Sequence, residues 1–287
     1  MSRTSASVRA GSHNGVIMNL IYQYWDGPVR ESCLAGVEAM RAYAKRIGAE
    51  YIFDDNPNFL RTHFGYDFGN YSPHYGAFRP IYDKFFDNFD KVLFCDTDVF
   101  PIDGLETNVF DEFTGEIGIC NEPFQPKQRL ITKGRITSAQ DERWAKMVRD
   151  MWDVEVPRVD GLVEVFNTGM VLYSKEARLK AREQWVDFKE YVDIVRSCGL
   201  DAFYTCDQPY LHAMMFVCNF DVQRMNNGWN SYIHYTRDIH HSDRYLCDWR
   251  DEETKFVHVQ FAGADNLDAE THWKIVNLPR EEWGIKV

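Results

Sequence analysis

Residues 16–22 form an apolar run with a single polar break, and after Gly27-Pro28 apolar side chains recur at Leu34, Val37, Met40, Ala44 and Ile47, the spacing of one helix face. Gly48 ends that pattern, and residues 49–53 read as a second strand. Strand, helix and strand in so short a stretch leave little freedom. The two strands lie parallel in one sheet and the helix crosses over right-handedly, so the chain opens as an α/β protein.

The remaining pattern extends that sheet. Residues 54–74, rich in Asp, Asn, Gly and aromatics, read as a loop, and Phe78, Tyr82, Phe85 and Phe89 then recur at helical spacing. Residues 91–95 make a short buried strand, after which Pro101 and Gly104 oppose a long continuation. Further strands are expected at 116–120, 169–173, 220–225 and 255–261, with a short helix carrying Trp144, Val148 and Trp152. Ser174 is placed to cap a long charged helix reaching about residue 195, and Asp207-Gln208-Pro209 opens another with Pro in its first turn. No internal repeat, low-complexity tract or linker interrupts the chain, so one domain over 15–287 is expected after a Ser/Arg/Gly-rich leader at 1–14.

Composition excludes several classes of protein. The chain has 287 residues, 45% of them hydrophobic and 26% charged, which is globular rather than disordered. Its net charge of -12 repels a phosphate backbone, so nucleic acid is not expected as a partner. A phosphorylated small molecule could still bind where a metal ion reverses the local sign. The seven cysteines are odd in number and form no CxxC pair, which reads as reduced thiols. With no apolar stretch long enough to span a bilayer and no signal-peptide pattern, the expectation is a cytoplasmic protein without an integral membrane segment.

The sharpest motif is the apolar strand Val92-Leu93-Phe94-Cys95 ending in Asp96-Thr97-Asp98. Ligands of open α/β sheets bind beyond the carboxyl ends of the strands. Two aspartates two residues apart in extended chain point the same way, so both can face one divalent cation, with Mg²⁺ or Mn²⁺ preferred by their oxygen ligands. Alone, such an acid pair reads more readily as a strand cap. His258 lies in Phe256-Val257-His258-Val259-Gln260-Phe261, where alternation sets it opposite the apolar face. It could complete the metal shell, although a hydrogen-bonded core histidine is the plainer reading.

Taken together, these stretches resemble the GT-A fold of nucleotide-sugar glycosyltransferases, and within it the retaining enzymes of glycosyltransferase family 8. The similar stretches are His74-Tyr75-Gly76-Ala77-Phe78-Arg79, the strand ending in Asp96-Thr97-Asp98, Phe166-Asn167-Thr168-Gly169, Cys206-Asp207-Gln208, and His258. The resemblance implies a mixed, mainly parallel sheet flanked by helices, with a donor-binding half at about 15–120 and an acceptor-side half at about 121–287. It implies Asp96, Asp98 and His258 as ligands of Mn²⁺, with Mg²⁺ as a substitute. A UDP-sugar donor then occupies the site and a glycan or other hydroxyl compound accepts the sugar. Arg79 and Thr97 would reach the sugar-phosphate region, and Asn167, Gly169 and Asp207 would line the donor sugar. Gln208 would lie beneath the anomeric carbon, and Gln23 and Tyr24 would meet the nucleoside. Where the family follows its metal-binding histidine with Gly and a diphosphate-gripping Lys, this chain has Gly263 but no lysine before Lys274.

Other readings stay open on the residues alone. A haloacid-dehalogenase-like phosphatase also ends an apolar strand in DxD, but wants Thr or Val where this chain has Phe100. A non-catalytic module that binds a nucleotide sugar or glycan has no need of the intact Asp96, Asp98 and His258 set. Lys127, Arg129, Lys133 and Arg135 read first as a solvated loop and second as a lid. His234, His240 and His241 lack zinc-ligand spacing with any cysteine, and Trp25, Trp229 and Trp249 read as packing side chains before sugar platforms.

Overall fold

A computed structural model describes residues 17–25, 28–55, 75–131, 134, 136–237, 244–248, 253–260 and 264–279. The leader at 1–14, His74, Lys133, Arg135, Trp249 and Gly263 lie outside the described residues.

The opening unit is strand β1 (Asn19–Tyr24), helix α1 (Glu31–Ile47) and strand β2 (Glu50–Asp54), with β1 and β2 parallel. Gly48 closes α1 in the left-handed region at φ 71°, where a side chain is disfavoured. The buried face of α1 runs through Cys33, Gly36, Val37, Met40 and Ala44, while Leu34 is exposed. The sequence pattern placed Leu34 inside. The other residues of that pattern, Val37, Met40 and Ala44, are buried as expected, so Leu34 at the first turn is the one departure.

Strand β3 (Lys91–Cys95) pairs in parallel with β1 and leads into the three-residue β4 (Val99–Pro101). β5 (Ile117–Asn121) follows, then the short hairpin β6 (Arg158–Val159) and β7 (Leu162–Val163), and β8 (Phe166–Ser174) and β9 (Val222–Arg224). The main sheet has the order β2-β1-β3-β8-β5-β9, and β8 runs against its neighbours. This is the mixed, mainly parallel α/β sheet that was expected. A second sheet, β11-β10-β12-β4, is built from β10 (Ser231–Arg237), β11 (Arg244–Asp248), β12 (Phe256–Gln260) and β4. The chain thus leaves the first sheet at Cys95 and enters the second at Val99, with Asp96-Thr97-Asp98 forming the joint.

Two expected helices are broken by aspartates. After the short α2 (Arg79–Tyr82), Asp83 is extended and its side chain accepts from the Phe85 backbone N–H, starting a 3-10 turn at Lys84–Asn88. Phe85 is consequently exposed. The charged stretch after Ser174 forms α5 (Lys175–Gln184) and α6 (Phe188–Ser197), restarted by Asp187, which accepts from the N–H groups of Lys189 and Glu190. Between β5 and β8 lie α3 (Lys127–Ile131) and α4 (Ser138–Trp152). Ser174 caps α5 as expected, accepting from Ala177 N–H at 3.0 Å. α7 (Asp207–Val217) begins at Asp207, and α8 (Ala269–Asn277) packs on α1. No described helix is long and apolar enough to cross a membrane.

Candidate active site

A cavity of about 390 Å³ opens where β1 and β3 end and β8 and α7 begin. β8 supplies its first residues there because it alone runs antiparallel, so Asn167-Thr168-Gly169 lies beside the carboxyl end of β3. Asp96 N–H donates to Gly169 O at 2.9 Å, which continues the ladder to the last residue before the turn.

The pairing of β4 with β12 sets His258 opposite Val99, and Val259 N–H donates to Asp98 O at 2.9 Å. Asp98 Oδ1 therefore stands 3.1 Å from His258 Nε2. Ligand atoms of Asp96, Asp98 and His258 all lie within 4.8 Å of one another. Burial, reinforced by the charges of Asp98 and Asp207, pushes the Asp96 carboxyl well above the usual carboxylate range. A divalent cation held there would relieve that repulsion.

The hydrogen bonds around His258 show how well the donor set suits a metal. Gly169 N–H donates to Asn167 Oδ1 at 2.9 Å, which establishes that atom as an oxygen that accepts. Asn230 Nδ2 donates to the same oxygen at 2.7 Å, so Asn230 turns its Oδ1 to His258 Nδ1 at 3.1 Å. A proton on Nδ1 satisfies that oxygen, and Nε2 faces Asp98 and the Gln260 amide, the latter 2.9 Å away. Nε2 and the Asp98 carboxylate, each able to ligate a metal, face each other at 3.1 Å, an arrangement a cation between them would satisfy. Replacing Asn230 by Leu removes the group that holds this tautomer. The expected result is Mn²⁺ affinity lower by about 10- to 100-fold with the fold intact, measured from the spin-resonance signal of free Mn²⁺; unchanged affinity contradicts the assigned proton.

Gly169 has a second role. A Cβ there would stand 2.4 Å from His258 Cε1 and 2.8 Å from Nδ1, so the ring occupies the space a side chain would need. On the opposite wall, Thr168 Oγ1 donates to Asp207 Oδ2 at 2.7 Å, and Gln208 Nε2 donates to Glu122 Oε2 at 2.7 Å.

Of the residues anticipated for substrate, Tyr24, Thr97, Asn167, Asp207 and Gln208 line the cavity with the two DxD aspartates. Gln23 does not. It is fully buried, donating from Nε2 to Asp96 O at 2.9 Å and accepting from Tyr51 OH at 2.8 Å. Strand alternation turns it to the α1 side of the sheet while Tyr24 faces the cavity, so Gln23 supports the Asp96 backbone instead of meeting a base. Arg79 is not among the lining residues either; it pairs with Asp54 and Asp83. Lys274 points outward on α8 to Glu270 at 2.7 Å, four residues earlier. The cavity face of that helix carries His272 instead, which stacks on Phe100 with ring centroids 5.6 Å apart.

The sequence alone pointed to none of Glu122, Asn230 and His272, and it read Arg129 as part of a solvated loop. Arg129 is in fact buried, with Nη1 donating to Asp141 Oδ1 at 2.6 Å. An arginine in the middle of a polar stretch carries no sign of burial; its partner Asp141, at an inward position of α4, is the only cue. Lys127 does lie on the surface, paired with Asp160.

No family model matches the chain, and no curated protein matches it. Among solved structures it is similar to the galactosyltransferase LgtC in complex with donor and acceptor sugar analogues, at 16% identity over 93% of this chain and 99% of that one, with a TM-score of 0.48. It is also similar to a glycosyltransferase involved in glycosylation of the major capsid of PBCV-1, at 11% identity over 90% and 98% of the two chains, TM-score 0.46. Mouse xyloside xylosyltransferase 1, in its apo form, aligns at 13% identity over 84% and 97%, TM-score 0.43. Likeness at this level assigns the chain no activity.

Proposed function

We propose that this protein is a metal-dependent glycosyltransferase that moves a hexose from a UDP-sugar to a hydroxyl acceptor with retention of anomeric configuration. The observation that carries the reading is the chemistry of the cavity wall. Four carboxylates line it, Asp96, Asp98, Glu122 and Asp207, and no Lys or Arg is among its described lining residues. A nucleoside diphosphate can enter such a cavity only together with a cation, and paired carboxylates suit the hydroxyls of a sugar.

A divalent cation held by Asp96, Asp98 and His258 would act as a Lewis acid on the departing diphosphate. The chain's own residues position the rest. Tyr24 and Trp25 form the nucleoside side of the cavity, and Asp207, steadied by Thr168, takes donor-sugar hydroxyls. Gln208 lies beneath the anomeric carbon, where its amide dipole meets positive charge developing on the sugar. Its replacement by Ala is expected to lower kcat by about 100-fold while donor KM stays within about two-fold. A change in KM alone would mean Gln208 only helps to hold the donor.

The reading as a whole is tested by thermal stabilisation with a panel of nucleotide sugars, with and without Mn²⁺, followed by assay of nucleoside diphosphate release. A Mn²⁺-dependent shift with one UDP-sugar, and release of UDP only when that sugar is present, supports it. Hydrolysis of a simple phosphomonoester without any nucleotide sugar would overturn it in favour of a phosphatase.

A further inference from the structure

Arg129 buries its charge beside two acids. Nη1 donates to Asp141 Oδ1 at 2.6 Å, Nη2 lies 3.4 Å from Glu122 Oε2, and the guanidinium sits over the Phe203 ring, 5.4 Å from its centre. Tyr204 OH donates to the same Asp141 oxygen at 2.7 Å. Desolvating one cation and two carboxylates costs about as much as the pairing returns, so stability alone does not account for the cluster. Its contact with the cavity does: the Glu122 oxygen facing Arg129 is the one that accepts from Gln208 Nε2 at 2.7 Å.

An ionised carboxylate can only accept a hydrogen bond. The NH₂ of Gln208 is therefore turned to Glu122, and the carbonyl oxygen is the end of the amide left for the cavity that both residues line. We propose that Arg129 is a positioning residue which, by holding Glu122 as an ionised acceptor, locks the Gln208 amide with its carbonyl oxygen toward the reacting carbon. That the reacting carbon belongs to a sugar rests on the function proposed above; the orientation of the amide does not.

Burial holds the Glu122 carboxyl above the usual carboxylate range, and Arg129 is the largest influence opposing that rise, followed by the Gln208 amide, while Asp141 adds to it. Without Arg129 that opposing influence is lost and the carboxyl is driven further toward its protonated form. It can then donate to the Gln208 carbonyl, and the amide turns over to present its NH₂ to the cavity. A partial positive charge would then face a carbon that is itself becoming positive.

The test pairs steady-state kinetics with the nuclear magnetic resonance of isotope-labelled glutamine side chains, the Gln208 signal being assigned by its loss in Gln208→Ala. In the unmodified protein one Gln208 amide proton should be shifted downfield and exchange slowly. Arg129→Met should abolish that shift and lower kcat by about 10- to 100-fold with donor KM within about two-fold, and Arg129→Lys should restore part of both. Should Arg129→Met fail to fold, Glu122→Leu, which removes the acceptor outright, is expected to give the same losses. A folded variant of either kind with the native Gln208 signal and native kcat overturns the proposal, as does a loss confined to KM. If the protein transfers no sugar at all, a signal lost in Arg129→Met still upholds the amide lock, and only the proposed reaction fails.

Discussion

Asp98→Ala, and equally Asp96→Ala, is expected to give a folded protein that has lost tight binding of divalent cation and transfers sugar at less than about one thousandth of the native rate. The size of the effect follows from the wall of the cavity, where no Lys or Arg among the described lining residues could replace the missing cation. Persistence of the fold follows from what Asp98 does structurally. Its backbone carbonyl, which the substitution keeps, holds Val259, while its side chain is 44% exposed and faces His258. Without metal the variant should melt no lower than the native protein, because one member of a repelling group, Asp96, Asp98 and Asp207, has been removed. Thermal scans in excess chelator and a Mn²⁺ titration check both halves. Native transfer by either variant, or by the unmodified protein in excess chelator, would sink the metal mechanism.

The second large effect is expected from a residue that carries no chemistry. In Gly36→Ala the new Cβ would lie 1.8 Å from Thr97 O and 2.9 Å from Thr97 C, backbone atoms of the turn that presents the two aspartates. Backbone cannot rotate aside as a side chain can, so α1 or the turn itself must move. Overpacking of this kind costs about 1–3 kcal/mol, which outweighs the roughly 1 kcal/mol that Ala gains over Gly inside a helix when the shift is at its upper end. The expected result is a melting temperature lower by about 5 °C and Mn²⁺ affinity weakened by at least about ten-fold. Glu38→Ala, at an exposed position of the same helix, should change neither. Native metal affinity in Gly36→Ala would mean that the close contact between α1 and the turn does not hold the aspartates in place.

Much of the site was legible because its signals are local. An apolar run ending in Asp96-Thr97-Asp98 can be read as a buried strand delivering acids, since both the strand and its abrupt end depend on adjacent residues. The same holds for Asp207-Gln208-Pro209, where Pro is compatible with a first helical turn, and for His258, set apart by alternation from Val257 and Val259. Local periodicity was misleading where a side-chain cap competes with it. Asp83 and Asp187 each satisfy backbone N–H groups and restart the chain, which cost the expected helices their length.

The sequence by itself determined that the opening is a parallel α/β unit and which residue types stand at the carboxyl end of β3. Only the tertiary structure decided what those residues meet. The pairing of β4 with β12 brings Asp98 to His258, strand facing sends Gln23 beneath Asp96 and away from the cavity, and the packing of α3 and α4 buries Arg129 beside Asp141. Hydrogen-bond polarity is decided at the same level: a backbone N–H at Gly169 fixes the asparagines that fix the histidine. Periodicity along a chain encodes which side faces inward, whereas contacts between distant residues depend on strand register and helix packing, which no short stretch of sequence contains.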